Sequence, residues 1–94
     1  MGAEGTRSWL GRCFSAEVRS LIAASRISGI ELSRRVGRSQ NYIAKRLRDE
    51  APFNLDDIEA IVTGLGMDIS SSGTLISHAI DHNGGAVAKQ MKDA

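Results

Sequence analysis

The chain is poor in several residue types that characterise whole classes of protein. Its 94 residues include one cysteine, one proline, one tryptophan, one tyrosine and two phenylalanines. A single thiol, Cys13, cannot form an internal disulfide, so a reducing compartment such as the cytoplasm is the natural setting. So few prolines and aromatic residues give no indication of disorder or of a β-sandwich.

Long apolar runs are also missing from the sequence. No stretch approaches the roughly 18 apolar residues that a membrane-spanning helix needs, so no membrane partner is expected. The N-terminus has no long apolar core after its first charges, and a signal peptide is therefore not expected either. A length of 94 residues allows one domain at most, with a core small enough for dimerisation to help it.

The formal net charge of +1 conceals an uneven distribution of charge along the chain. Residues 7–48 contain ten cations against two acidic residues, a net charge of +8, and nine of the ten cations are arginine. Residues 49–94 contain two cations against eight acidic residues, a net charge of −6. The arginine-rich half indicates a polyanionic partner, because guanidinium groups suit phosphate, although a solvated basic surface is the simpler alternative.

Apolar residues recur at the helical period along most of the chain, and no stretch alternates like a half-buried strand, so an all-α fold is predicted. The first main helix is expected from about 15 to 26, with Ser15 placed to cap its start. Residues 1–14 then form an N-terminal segment that is either a helical arm or a piece packed on the domain. Packing through Trp9 and Phe14 is the simpler of these two interpretations.

Two short helices separated by a tight turn are predicted next. Ser28 and Glu31 have the spacing of a capping box at the start of the first one. Gly37 suits the left-handed residue that ends a helix, and Ser39 is placed to cap the following helix, Gln40 to about Asp49. The apolar positions of the first short helix are Ile30, Leu32 and Val36.

A fourth helix is predicted after the break at Pro52, with Asn54 as its cap and acidic residues in its first turn, where the helix dipole favours them. A fifth helix is expected over 73–82, closed by the sequence NGG, with residues 84–94 as a marginal or loose tail. The globular domain would then span residues 15–83. The buried stripe of the fourth helix is predicted to be Leu55, Ile58, Ile61, Val62 and Leu65.

The second of the two short helices has an unusual distribution of polar side chains. The sequence GRSQNYIAKRLRDE (37–50) puts amides in its first turn, at Gln40 and Asn41, and cations along its flank. The major groove of DNA, about 12 Å wide, admits one helix, and amide side chains match the edge of adenine there. Arginines beside such a helix neutralise phosphates and fix its register. This arrangement is what a reader of duplex DNA needs.

Residues 28–65 resemble the lambda-repressor-like (C1/Cro-type) helix-turn-helix family. The similarity is carried by SGIELSRRVGRSQNYIAKRL, whose motif spans residues 28–48, and by NLDDIEAIVTGLGMD, which is similar to that family's fourth helix. The resemblance implies a compact five-helix domain. It also implies a sequence-specific transcriptional repressor of double-stranded DNA, similar to a small phage immunity repressor, in the cytoplasm of a bacterial host cell and associated with its nucleoid. No cofactor and no catalytic activity are expected.

The resemblance also implies roles for individual residues. Base reading falls on residues of the second motif helix, which are Gln40, Asn41, Ala44 and Lys45. Phosphate contacts fall on Arg34, Arg38, Ser39, Tyr42, Arg46, Arg48 and Asn54. Dimerisation through the last helix would use Leu75, Ile76 and Ile80.

Two positions depart from the family's pattern. Arg38 stands where the family often has an apolar valine or methionine, and it is expected to face solvent or phosphate. Gly29 stands where the family often has a glutamine that contacts phosphate. These departures concern individual contacts and leave the motif itself unchanged.

Several of these residues also have simpler interpretations. Gln40 and Asn41 fit an ordinary polar surface, and Lys45 fits a phosphate contact as well as a base contact. His78 and His82 have the spacing of a metal-binding pair, but no third ligand is suitably placed, so no metal site is expected.

Other functions are compatible with the same sequence. An antitoxin-like or Cro-like regulator would share the motif, and a neighbouring toxin gene would identify the antitoxin. A protein-interaction module on the same fold would bind no DNA, which the +8 half disfavours. RNA binding is disfavoured because exposed aromatic platforms are lacking. A monomer with a basic arm around Arg7 and Arg12 is the alternative to the homodimer.

Overall fold

The computed structural model describes residues 8–93, and all the regular structure in that part of the chain is helical. The elements are α1 (Trp9–Ser25), α2 (Gly29–Val36), α3 (Gln40–Leu47), α4 (Leu55–Gly64), a single 3₁₀ turn (Ile69–Ser71) and α5 (Ser72–Asp93). The prediction of an all-α fold with five helices is therefore confirmed for the described residues. None of the helices among them is both long enough and apolar enough to cross a membrane.

The first helix starts earlier than the sequence suggested. Ser8 caps α1, because its hydroxyl accepts a hydrogen bond from the backbone amide of Gly11 at 2.8 Å. Ser15, the predicted cap, lies inside the helix and is fully buried, so the predicted boundary between residues 14 and 15 is wrong. Phe14 packs in the core, as the simpler interpretation required. Arg7 and the rest of residues 1–7 lie outside the described residues.

The caps and turns from α2 to α4 follow the sequence closely. Ser28, Ser39 and Asn54 are the N-caps of α2, α3 and α4. Gly37 ends α2 in the left-handed conformation at φ 69°, as predicted. The reciprocal half of the box predicted at Ser28 is not formed, because the Glu31 carboxylate instead binds two arginines on α2.

The last helix is the largest departure from prediction. The glycines expected to close it lie inside α5, which continues to Asp93. Gly84 is buried beneath Trp9, whose indole Nε1 donates to the Gly84 carbonyl at 2.9 Å. Further along, Val87 and Met91 pack against Cys13 of α1. Tertiary packing against α1 thus outweighs the poor helix propensity of two adjacent glycines, about 1 kcal/mol each.

The main core is formed where α1, α2, α3, α4 and the start of α5 meet. The prediction that Leu55 is buried is wrong, because it is 81% exposed; Ile30, an apolar position of α2, is 59% exposed as well. Both residues lie in the first turn of a helix, on the side that faces solvent. Ile61 and Val62 of the predicted α4 stripe are fully buried, whereas Ile58 and Leu65 are half-buried. The buried cluster is Phe14, Val18, Leu32, Val36, Ile43, Ile61, Val62 and Leu75.

Candidate nucleic-acid interface

One face of α3 is presented to solvent. Ile43 is 1% exposed and is the single buried residue of this helix. The four residues predicted to read bases lie within an arc of about 140° at the helical period. Asn41 and Lys45 are about 160° from Ile43 around the helix, whereas Gln40 is only about 60° from it. Three of them are exposed and Ala44 is half-buried. The exposed three are Gln40, Asn41 and Lys45.

The start of α3 is held close to the end of α2 by a turn of three residues. The amides of Gly37 and Arg38 donate back to carbonyl groups in the last turn of α2. The Ser39 hydroxyl then accepts from the Tyr42 amide at 3.1 Å and caps α3. Asn54 is used in the same way in α4, where its side-chain carbonyl accepts from the Asp57 amide at 2.8 Å. Both predicted phosphate residues are thus capping residues in the structure.

A buried carboxylate connects the turn, α3 and α4. Asp57, in the first turn of α4, is 1% exposed. Its Oδ1 accepts from Arg38 Nε at 3.0 Å, and the Tyr42 hydroxyl lies 3.0 and 2.9 Å from its two oxygens. Its Oδ2 also accepts from the backbone amide of Asn54 at 3.0 Å, which completes a capping box. We call Asp57, Arg38, Tyr42 and Arg46 the Asp57 cluster.

Arg38 was expected to face solvent or phosphate, and its position corrects that prediction. Its guanidinium group is directed to Asp57, with Nη1 also donating to the carbonyl of Val36 at 2.9 Å. The hydrogen bond to the carboxylate raises the pKa of Arg38 above its usual value. The two residues are 19 positions apart in sequence, so only the packing of α4 on the turn brings them together.

Arg46 also turns inward. Its guanidinium carbon lies 3.4 Å from the centroid of the Tyr42 ring, and Nη1 donates to the Tyr42 carbonyl at 3.0 Å. Its Nε lies 3.9 Å from Asp57 Oδ2, and the side chain is 18% exposed. Tyr42 and Arg46, both predicted to contact phosphate, therefore already have partners within the domain.

The outer arginines are paired as well, but on the surface. Glu31 accepts from Arg35 Nε at 2.8 Å and from Arg34, and these hydrogen bonds lower its pKa below the usual range. Glu50 accepts from Arg48 Nε at 2.7 Å, which lowers the pKa of Glu50 and raises that of Arg48. Exposed pairs of this kind are weak and are screened by salt, so phosphate can compete for these arginines.

Lys45 differs from these arginines. It forms no ion pair with any residue in the part of the chain that the structure describes. It shares the exposed face of α3 with the amides of Gln40 and Asn41, so its ammonium group is available to a ligand without breaking an internal contact. Five arginines and Lys45 on this surface face three carboxylates, so a net charge of +3 remains, and Lys45 is the cation among them that needs no rearrangement.

The residues predicted to form a dimer interface are not equivalent. Leu75 is buried in the core of its own chain. Ile76 is half-buried, and Ile80 is 37% exposed on the same face of α5, one turn later. Of the three, Ile80 and part of Ile76 reach the surface.

A second polar cluster, between α1 and α5, also lay beyond sequence reasoning. Glu17 is 5% exposed, and its Oε1 accepts from Asn83 Nδ2 at 3.1 Å. The ring of His82 lies 3.2 Å from the same oxygen and stacks on His78 with a centroid distance of 5.3 Å. A carboxylate in an apolar stripe was the signal available in the sequence, but its partners are more than 60 residues away.

Comparisons with protein-family models, with curated protein sequences and with solved structures find no match to this chain. The resemblance to lambda-repressor-like proteins therefore depends on the motif residues themselves.

Proposed function

We propose that the protein is a sequence-specific double-stranded DNA-binding transcriptional repressor, similar to a small phage immunity repressor, and that α3 lies in the major groove of its operator. The observation that carries the proposal is the exposed face of α3. Asn41 and Lys45 project from it on the side of the helix opposite Ile43, and Gln40 is exposed at the edge of the same face. Amide side chains suit adenine and a lysine suits guanine at their major-groove edges.

The surrounding charges support the same proposal. The surface pairs formed by Arg34, Arg35 and Arg48 lie on α2, which packs on α3, and just after α3. Replacing a carboxylate partner by a phosphate oxygen keeps each guanidinium satisfied. Repression would follow from occlusion of a promoter by the bound protein.

The function is tested by selecting bound sites from a random duplex pool with wild-type protein and with Gln40→Ala and Asn41→Ala variants. We expect an enriched consensus, and Gln40→Ala should cost about 1–3 kcal/mol at one base step while other positions keep their preference. Equal weakening on all duplexes would refute base reading by Gln40. The absence of any enriched sequence would refute the repressor and favour a protein-interaction module.

The symmetry of the consensus tests the oligomeric state. We propose a homodimer that uses the exposed part of the α5 face, Ile76 and Ile80, because two copies would place two reading helices on a palindromic site. A two-fold-symmetric consensus is then expected, and Ile80→Asp should weaken binding to it without changing binding to a half-site. An asymmetric consensus would instead indicate a monomer with an accessory arm.

A further inference from the structure

Apolar packing alone does not fix the orientation of α3. The helix has eight residues and one fully buried side chain, Ile43, with Leu47 half-buried at its end. A helix of about two turns with one fully buried side chain, and with Tyr42 and Leu47 only partly buried against the core, is oriented weakly by apolar packing. With a helix diameter of about 10–12 Å, a rotation of about 20° moves a side-chain tip by roughly 2 Å. A bidentate contact with a base does not tolerate that displacement.

At the start of α3 the polar contacts that limit this rotation converge on one carboxylate, while at its end Arg19 of α1 donates to the Leu47 carbonyl at 2.6 Å. Tyr42 is the third residue of α3, directly after Asn41, and its hydroxyl reaches both oxygens of Asp57. Asp57 is the third residue of α4 and is fixed there by its own capping box with Asn54. The first turns of the two helices are therefore tied to each other through a side chain that cannot rotate independently.

Two arginines complete the attachment. Arg38 ties the turn before α3 to the same carboxylate, and it also holds the last carbonyl of α2. Arg46 lies one turn after Tyr42 and covers its ring from the outside. We propose that Asp57 is a positioning residue, which sets the rotation of α3 through Tyr42 and Arg38 and thereby decides whether Gln40 and Asn41 meet base edges. The consequence for base reading rests on the proposed DNA-binding function.

A positioning role for Tyr42 predicts a different pattern of DNA affinities from a phosphate contact by Tyr42. A lost phosphate contact weakens binding to every duplex by a similar factor, because phosphates carry no sequence information. A lost orientation of α3 weakens binding to the selected sequence and leaves non-specific binding nearly unchanged. The ratio of the two affinities therefore separates positioning from phosphate contact and from a simple loss of folded protein.

The test uses Tyr42→Phe, which removes the hydroxyl and keeps the ring beneath Arg46. The matched control is Ser8→Ala, which removes the cap of α1, at the first described residue and away from α3 in sequence. Both are compared with wild type on the duplex enriched by selection and on a scrambled duplex of equal composition. Asp57→Asn is a second variant, used only if circular dichroism shows that it folds.

We expect Tyr42→Phe to lower affinity for the selected duplex on the order of tenfold, with the scrambled duplex changed by less than about twofold. Ser8→Ala should leave the ratio of affinities at its wild-type value. An equal loss on both duplexes, or no loss on either, would overturn the positioning role of the Asp57 cluster.

A measurement without DNA keeps the inference separate from the proposed function. Relative to wild type, Tyr42→Phe should increase the rate of amide hydrogen exchange more in α3 than in α1. Ser8→Ala should increase it more in α1 than in α3. If selection yields no enriched duplex while this exchange pattern appears, the repressor proposal fails and the control of α3 by Asp57 stands. Unchanged exchange in α3 would reject the control itself.

Discussion

Two adjacent glycines in α5 should respond to the same substitution with opposite signs. A Cβ placed on Gly84 would lie 2.8 Å from Cζ2 of Trp9, closer than side chains tolerate, whereas a Cβ on Gly85 would meet nothing within 4 Å. Both residues are in the interior of the helix, so alanine should stabilise either position by about 1 kcal/mol through backbone propensity. For Gly85→Ala no steric contact opposes this gain in stability.

For Gly84→Ala the same gain is outweighed. Forcing Trp9 away costs about 1–3 kcal/mol for overpacking, and its 2.9 Å hydrogen bond to the Gly84 carbonyl contributes about 1 kcal/mol that would be lost. The net expectation is a loss of about 1–3 kcal/mol in the free energy of unfolding. Because Trp9 is the chain's one tryptophan, its fluorescence in a urea titration reports both the local contact and global unfolding.

The pair of variants gives a clear criterion. Gly85→Ala should raise the urea midpoint with an unchanged emission maximum, whereas Gly84→Ala should lower the midpoint and shift the native emission to the red. If the two variants were stabilised equally, Trp9 would not pack on Gly84, and the account of why α5 continues through the two glycines would be refuted.

The remaining predictions concern charge and burial. Glu50→Gln releases Arg48 from its partner, so affinity for any duplex should rise. The slope of log K against log salt should steepen by up to about 0.9. An unchanged slope in salt titrations would show that Arg48 makes no phosphate contact. The pKa of Glu31 is lower in the folded chain than its usual 4.5 because Arg34 and Arg35 bind it. As pH falls from 4.5 to the lowered folded pKa, the unfolded chain binds more protons, so wild type should lose stability over that interval. In thermal melts, the melting temperature of Glu31→Gln should fall less than that of wild type over this pH range. Parallel curves of melting temperature against pH would contradict the pairing of Glu31 with the arginines. The buried Ser15 hydroxyl has no hydrogen-bond partner among the described residues, so Ser15→Ala should be neutral or stabilising, whereas a cap would lose about 1 kcal/mol.

The elements that the sequence predicted well are those governed by local chemistry. Ser39, Asn54 and Gly37 act within a few residues of themselves, through caps and a left-handed backbone, so their roles are readable from spacing. The exposure of Asn41 and Lys45 opposite Ile43 follows from the helical period in the same way. These features place the candidate site without any knowledge of the tertiary structure.

The errors arose where distant residues decide the outcome. The continuation of α5 through its glycines depends on Trp9, 75 residues earlier. The inward turn of Arg38 depends on Asp57, which looked from sequence like an ordinary acidic residue at a helix start. An arginine in a basic motif carries no local sign of whether its partner is a phosphate or a buried carboxylate, so the phosphate contacts were the least predictable part of the site.

The residues that attach α3 to the domain and the residues that it exposes lie on different sides of the helix, which has a practical consequence. The residues that hold the helix, Tyr42, Ile43 and Arg46, occupy one side, and the exposed residues occupy the other, so no position serves both tasks. If α3 reads an operator, the exposed set can be exchanged as a cassette while the attachment stays intact. The same scaffold could then be redirected to new target sequences by library selection, and natural divergence of recognition would require little compensation elsewhere in the chain. The exchangeable set is Gln40, Asn41 and Lys45, which are exposed, whereas Ala44 is half-buried.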